Sequence, residues 1–224
     1  MRRFAQRFAR PRNLCLLITV FSLCGLSLWS AAATAEEPPR VLFLGDSLTA
    51  GYGLGEEQAF PALVAEAMAE AGRPIEAVNA GVSGDTTAGG LARLEWLLRL
   101  EPDVVVVGLG GNDGLRGLDP EMTEANLRRI VEKAKASGAA VVLLGMRMPP
   151  NYGEYAERFA ALYPRLAAEL EVALVPFLLE GVGGDPSLNL PDGIHPNPEG
   201  QRRLAETVEP VLASVLRDAE RADR

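Results

Sequence analysis

The chain has 224 residues, 48% of them hydrophobic, with 22 basic and 30 acidic side chains, and its two cysteines, Cys15 and Cys24, both fall within the first 35 residues. The remainder therefore carries no thiol, which excludes disulfides, cysteine metal sites and thiol catalysis there. Five basic residues also lie in that first stretch, so 17 remain against 30 acidic ones and residues 36–224 have a formal charge of about −13, a surface that repels nucleic acid and anionic lipid headgroups.

Residues 1–35 have the layout of an export signal. Arg2, Arg3, Arg7, Arg10 and Arg12 make a basic start, Leu14 to Trp29 is apolar, and Ala33-Thr34-Ala35 offers a small-residue cleavage site before Glu36. We expect cleavage and a periplasmic or secreted protein. If the leader is retained, it is the one expected membrane contact, although its apolar run falls slightly short of the roughly 20 residues of a spanning helix. Leu23 before Cys24 argues against lipoprotein processing, because a small residue belongs there. Residues 36–224 fit one domain with a core of its own, expected to be monomeric.

After Pro38-Pro39, strand-like and helix-like stretches alternate without a linker. Arg40–Leu44, Ile75–Asn79, Asp103–Leu109, Ala140–Leu144 and Ala173–Phe177 read as strands; most are continuous Val/Leu/Ile runs, as strands covered on both faces should be. Between them run helical stripes: Phe60 to Ala71, ending at Gly72; Leu91 to Leu98, stopping before Glu101-Pro102; Thr123 to Ala136, ending at Gly138; and Tyr155 to Leu170. Pro164 interrupts the last of these, which predicts a kink or two helices. A final helix is predicted from Pro198 to Arg217, with Pro210 as a bending point. This order predicts an α/β fold: three layers, α/β/α, flavodoxin-like, around a parallel sheet of about five strands.

Four loops carry candidate chemistry. The first strand stops at Gly45-Asp46-Ser47, so Ser47 should stand past its carboxyl end, where open α/β sheets bind ligands. A serine needs a base to attack a carbonyl near neutral pH, and the whole chain holds one histidine, His195. His195 lies in the Gly- and Pro-bearing loop Pro191-Asp-Gly-Ile-His-Pro-Asn-Pro198, and Asp192 three residues earlier can fold back on Nδ1 and leave Nε2 facing Ser47. Read alone, the Asp-x-x-His pair is also an ordinary surface turn.

The third-strand loop, Gly108-Leu-Gly-Gly-Asn-Asp-Gly-Leu-Arg-Gly117, has five glycines in ten residues. In it Asn112 offers an uncharged amide donor for developing negative charge. Asn79-Ala-Gly-Val-Ser-Gly-Asp-Thr86 can add a backbone N–H, that of Gly84, and Ser47 its own. Phosphate binding or plain turn chemistry is the alternative for these loops, but neither matches a Walker A loop or a dinucleotide fingerprint, and Gly51-Tyr-Gly-Leu-Gly55 fails as well.

Taken together, Gly45-Asp46-Ser47-Leu48, Gly84, Gly110-Gly111-Asn112-Asp113 and Asp192-x-x-His195 resemble the SGNH or GDSL-type lipases and esterases. Gly-Asp-Ser-Leu-Thr-Ala-Gly-Tyr-Gly, Gly-Gly-Asn-Asp-Gly-Leu-Arg-Gly and Asp-Gly-Ile-His-Pro-Asn are similar to the bacterial acyl-CoA thioesterase I, lysophospholipase L1 and arylesterase group, over residues 40 to 215. The resemblance implies a serine esterase or thioesterase with Ser47 as nucleophile, Asp192 and His195 as partners, and Ser47, Gly84 and Asn112 as oxyanion donors. It implies no metal and no cofactor, and small-molecule or lipid acyl esters as substrates: short to medium chains, aryl esters and lysophospholipids. Leader cleavage would remove the enzyme from cytosolic acyl-CoA. Gly108 departs from the Glu common in relatives, which bears on packing beneath the loop or substrate preference. Thr49, standing where the second glycine of a G-x-S-x-G elbow would be, argues against the common α/β-hydrolase fold.

Leu109, Gly110, Met146 and Pro149 are candidate substrate contacts near the strand ends, with core packing as the alternative. A carbohydrate O-acetyl esterase and a non-catalytic binding protein on the same scaffold remain competing readings.

Overall fold

The computed structural model describes residues 37–222, so the leader expected over residues 1–35 lies outside them. Five strands, β1 (Arg40–Gly45), β2 (Glu76–Gly81), β3 (Val104–Gly108), β4 (Ala140–Leu144) and β5 (Ala173–Val175), pair in parallel in the order β2-β1-β3-β4-β5. This is the flavodoxin-like arrangement, and its strand order reverses beside β1, opening a crevice at the carboxyl ends of β1 and β3. The register puts Gly45 level with both Gly81 and Gly108. Three loops thus leave the sheet side by side.

The helices are α1 (Ser47–Ala50), α2 (Phe60–Glu70), α3 (Thr87–Leu97), α4 (Gly111–Leu115), α5 (Pro120–Ala136), α6 (Glu154–Leu170) and α7 (Pro198–Ala222). Packing joins α2 to α7, and α5 to both α3 and α6. Right-handed crossovers set these groups on opposite sheet faces. Val41 to Leu44 and Val104 to Val107 are fully buried between the layers, along with Val64 and Met68 of α2, Ile130 and Val131 of α5, and Val208 and Leu212 of α7. Edge strand β2 is only partly covered, which is why its sequence mixes Glu76 and Asn79 with apolar residues. No helix among the described residues is long and apolar enough to cross a membrane.

Boundaries differ from expectation where side chains cap helices. Thr86 accepts from Gly89 N and starts α3 four residues before Leu91; Asp119 accepts from Glu121 N and, with Pro120 in the first turn, starts α5 ahead of Thr123. Strand β5 stops at Val175, because Pro176 cannot donate to the ladder. Contrary to the two-helix alternative, α6 is one continuous helix through Pro164. An internal proline costs about 3 kcal/mol, yet Phe159 and Leu162 before it and Leu166 after it bury one shared stripe, and that burial offsets the loss. Helix α7 likewise continues past Pro210.

Candidate active site

Past Gly45 the chain turns into the single-turn helix α1, whose first residue is Ser47. Asp46 caps it: Oδ1 accepts from Leu48 N at 3.0 Å, and Gly51 at φ +70° closes the far end. A side chain at Gly45 would run into Thr49 and lie 3.1 Å from the Gly108 carbonyl, so the glycine lets two strand ends and the helix meet. Ser47 is 9% exposed, open enough to react and otherwise enclosed.

His195 reaches Ser47 from the loop before α7. Its Nε2 lies 2.9 Å from Ser47 Oγ, and its Nδ1 lies 2.8 Å from Asp192 Oδ2. The other Asp192 oxygen accepts from Ile194 N at 2.9 Å and His195 N at 3.0 Å, with Gly193 at φ +70° making the bend. The backbone N–H of His195 is the largest of the influences that hold the Asp192 carboxyl down at about 2, ahead of Ile194 N–H and the imidazole. A carboxylate facing Nδ1 fixes the tautomer that leaves Nε2 as acceptor for the serine proton. Tyr52 covers the imidazole, ring centroids 4.3 Å apart at 32°.

Neighbouring loops bring the remaining polar groups. Asn112, in the first turn of α4, donates through Nδ2 to Asp46 Oδ2 at 3.2 Å. One amide hydrogen is thereby fixed, and the other is left to point elsewhere. Asp46 is 2% exposed; burial raises its pKa to about 6, opposed by Leu48 N–H, Asn112 and His195. Gly84, at φ +79°, sits in the turn closed by Asp85 N donating to Val82 O, and its carbonyl accepts from Arg116 Nη2 at 2.9 Å. Arg116 follows α4 directly, so this bond couples the Gly84 turn to the helix bearing Asn112.

Beneath the Asn112 loop, buried Tyr163 donates to the Leu109 carbonyl at 3.0 Å. Gly110 at φ +112° passes so close over the phenol that any side chain there would collide with its oxygen. Gly108 is tight as well: a Cβ would sit 3.2 Å from Leu144 and 3.3 Å from Thr49 Oγ1, so the glycine matches this packing. Of the four expected substrate contacts, Leu109 and Met146 are core residues at 0% and 2% exposure, and Gly110 is buried; only Pro149 is at the surface. Their strand-end position faces them inward, and the core-packing alternative holds for Leu109 and Met146. The exposed apolar side chains on these loops are instead Tyr52, Val82, Leu115 and Ile194.

Sequence reasoning missed two polar residues that support this end of the sheet. Gln201, 1% exposed, accepts from Phe60 N at 2.8 Å and donates to Leu48 O at 3.2 Å, tying α7 to the turn that bears Ser47. Arg93, on α3, bonds the ends of β1 and β2. A polar residue on a buried stripe was the available signal: Gln201 with Leu204 and Val208, Arg93 beside Gly90 and Leu94.

The GDSL-like lipase/acylhydrolase family model matches residues 43–203. Esterase TesA of Pseudomonas aeruginosa is 49% identical over 178 residues, covering 79% of this chain and 89% of the relative. Thioesterase 1/protease 1/lysophospholipase L1 of Escherichia coli K12 is 46% identical over 187 residues, covering 83% and 87%. A crystal structure of TesA superimposes with a TM-score of 0.76 at 49% identity, over 79% of this chain and 99% of that one.

Proposed function

Because the chain belongs to the GDSL-like lipase/acylhydrolase family and is a hydrolase of the esterase class, we propose that it hydrolyses acyl esters through Ser47, His195 and Asp192. The observation that carries this reading is the continuous relay from Asp192 Oδ2 to His195 Nδ1 and from His195 Nε2 to Ser47 Oγ. Ser47 Oγ attacks the ester carbonyl while His195 takes its proton. Asp192 stabilises the resulting imidazolium, and the imidazolium then protonates the leaving alcohol or thiol. Water activated by the same imidazole releases the acid from Ser47. The tetrahedral oxyanion is received by the free amide hydrogen of Asn112 and by the backbone N–H groups of Gly84 and Ser47. Capping by Asp46 uses Leu48 N, not Ser47 N, so the latter donor is not consumed by the helix start.

Small acyl esters and thioesters are the substrates: short to medium chains, aryl esters and lysophospholipids. The exposed apolar side chains of Tyr52, Val82, Leu115 and Ile194 around the strand ends support an acyl-accepting rim. The reaction takes place outside the cytoplasm, after removal of residues 1–35, on a monomeric single domain over residues 36–224. Reaction with an active-site serine phosphonate should label Ser47 and no other residue, and Ser47→Ala should abolish turnover of p-nitrophenyl esters. Retained turnover in that variant would refute the assignment. Comparing p-nitrophenyl esters of rising chain length with a lysophospholipid and an acetylated sugar then fixes the substrate class.

A further inference from the structure

The side chain of Arg93 makes three bonds to three different segments around the nucleophile. Nη2 donates to the Gly45 carbonyl at 2.9 Å, Nη1 to the Ala80 carbonyl at 2.7 Å, and Nε to Asp85 Oδ2 at 2.8 Å. Gly45 ends β1, immediately before Asp46 and Ser47. Ala80 precedes the turn that holds Gly84, and Asp85 immediately follows Gly84. One planar group on α3 therefore grips both ends of the Gly84 turn and the strand that presents the serine.

From this arrangement we infer that Arg93 is a positioning residue for catalysis: it fixes the Gly84 N–H relative to Ser47 Oγ. The inference rests on the function proposed above. Gly84 has no side chain to anchor it, and its turn stands at the edge strand of the sheet, where only one neighbouring strand restrains it. What holds the turn is hydrogen bonding: Val82 N donates to Gly45 O at 3.0 Å, Asp85 N donates to Val82 O at 3.0 Å, Arg116 Nη2 donates to the Gly84 carbonyl at 2.9 Å, and Arg93 ties both ends of the turn to the end of β1. The Arg93 and Asp85 side chains are 23% and 12% exposed, sheltered enough for charge-assisted bonds to hold their geometry. The fork is specific to arginine. A lysine ammonium is a single point and cannot meet three acceptors lying in three directions with the same planarity. Arg93 touches neither nucleophile nor base, so its effect reaches the reaction only through the donors it places.

A misplaced oxyanion donor costs transition-state stabilisation and leaves ground-state binding alone. For Arg93→Lys and Arg93→Ala the expected loss in kcat on a p-nitrophenyl ester is about tenfold to 10²-fold, the scale of a roughly 1 Å displacement, with KM within about twofold. Rates are expressed per active site titrated with a serine phosphonate, so a poorly folding variant cannot imitate the effect. Millimolar guanidinium should restore Arg93→Ala toward wild type, while ammonium at equal ionic strength should not. Phenylboronic acid, which forms a tetrahedral adduct on an active serine, should bind the variants more weakly by a similar factor. The inference is overturned if the titrated sites of Arg93→Lys turn over at the wild-type rate, or if kcat falls with no loss of boronate affinity. Ser47→Ala measured alongside separates the two claims. An active Ser47→Ala refutes the proposed function, whereas an inactive one beside native-rate Arg93 variants refutes only the role of Arg93.

Discussion

Asn112 donates its side-chain amide to Asp46, Nδ2 to Oδ2, at 3.2 Å, so the residue next to Ser47 orients the proposed oxyanion donor from the adjacent strand-end loop. Asp46 thus has two jobs within one carboxylate, since its other oxygen caps the helix that begins with Ser47.

Truncating that donor should be felt in the rate. Asn112→Ala is expected to lower kcat by about 10²–10³, equivalent to about 2.7–4 kcal/mol of transition-state stabilisation, with KM little changed. Steady-state kinetics on an aryl ester checks this, and a loss confined to KM would show that the amide contacts ground-state substrate instead.

Asp46 also predicts a stability signature. Its pKa in the folded protein is about 6 against 3.8 ordinarily, chiefly because of burial. Between those values the folded state holds a proton that the unfolded chain lacks. Stability therefore rises as pH falls through 6, and the gain is complete only below 3.8. The contribution is about 3 kcal/mol. Other groups titrate in the same range, so the useful quantity is a difference. From pH 7 to pH 4, wild type should gain about 2.4 kcal/mol relative to Asp46→Asn in urea unfolding. An unchanged difference would mean that Asp46 is not held in a desolvated site.

Local sequence made the strands and the proposed catalytic residues legible, because each feature is carried by a short motif. A buried apolar run ends at Gly45; a glycine-permitted bend joins Asp192 to His195; a glycine-rich loop carries Asn112. The supports were not legible in the same way. Arg93 meets a carbonyl 48 residues away and Gln201 one 153 residues away, and such partners exist only once crossover and register are set. Leu109 and Met146 show the converse: their position at strand ends is readable, but the direction in which a side chain leaves the strand decides between core and cleft, and both turn inward. Pro164 also shows a local rule yielding to a burial stripe that runs along the whole of α6.

Tyr52 lies against the imidazole of His195 while 49% of its own surface stays exposed. Such ring contacts are worth about 0.5–1.5 kcal/mol, enough to bias the imidazole toward the orientation facing Ser47. Tyr52→Ala should reduce kcat by up to about tenfold, and Tyr52→Phe, which keeps the ring, should stay near wild type. Equal losses in the two variants would assign the effect to the hydroxyl.

Asp192→Asn tests the base most directly, because it preserves shape while replacing one acceptor oxygen with an amide NH2 donor and removing the charge. The substituted side chain keeps an oxygen to accept from Ile194 N and His195 N, the bonds that form the turn. Its amide then faces Nδ1 as a donor. Nδ1 must become the acceptor, the remaining ring proton moves to Nε2, and the nitrogen 2.9 Å from Ser47 Oγ can no longer take the serine proton. Loss on the order of 10⁴ in kcat accompanies the equivalent change in serine proteases; here the Asp192 side chain is 38% exposed, so water can share in supporting the imidazolium and a smaller loss, about 10²–10³, is expected. The wild-type carboxylate, held at about 2 by its backbone and imidazole donors, stays ionised throughout the working range. No loss of activity on the acid side down to pH 5 should therefore be assignable to its protonation. Kinetics of Asp192→Asn alongside a thermal melt distinguishes the two contributions: an intact melting temperature with a collapsed kcat identifies the tautomer as the cause, and a matching fall in both identifies the turn.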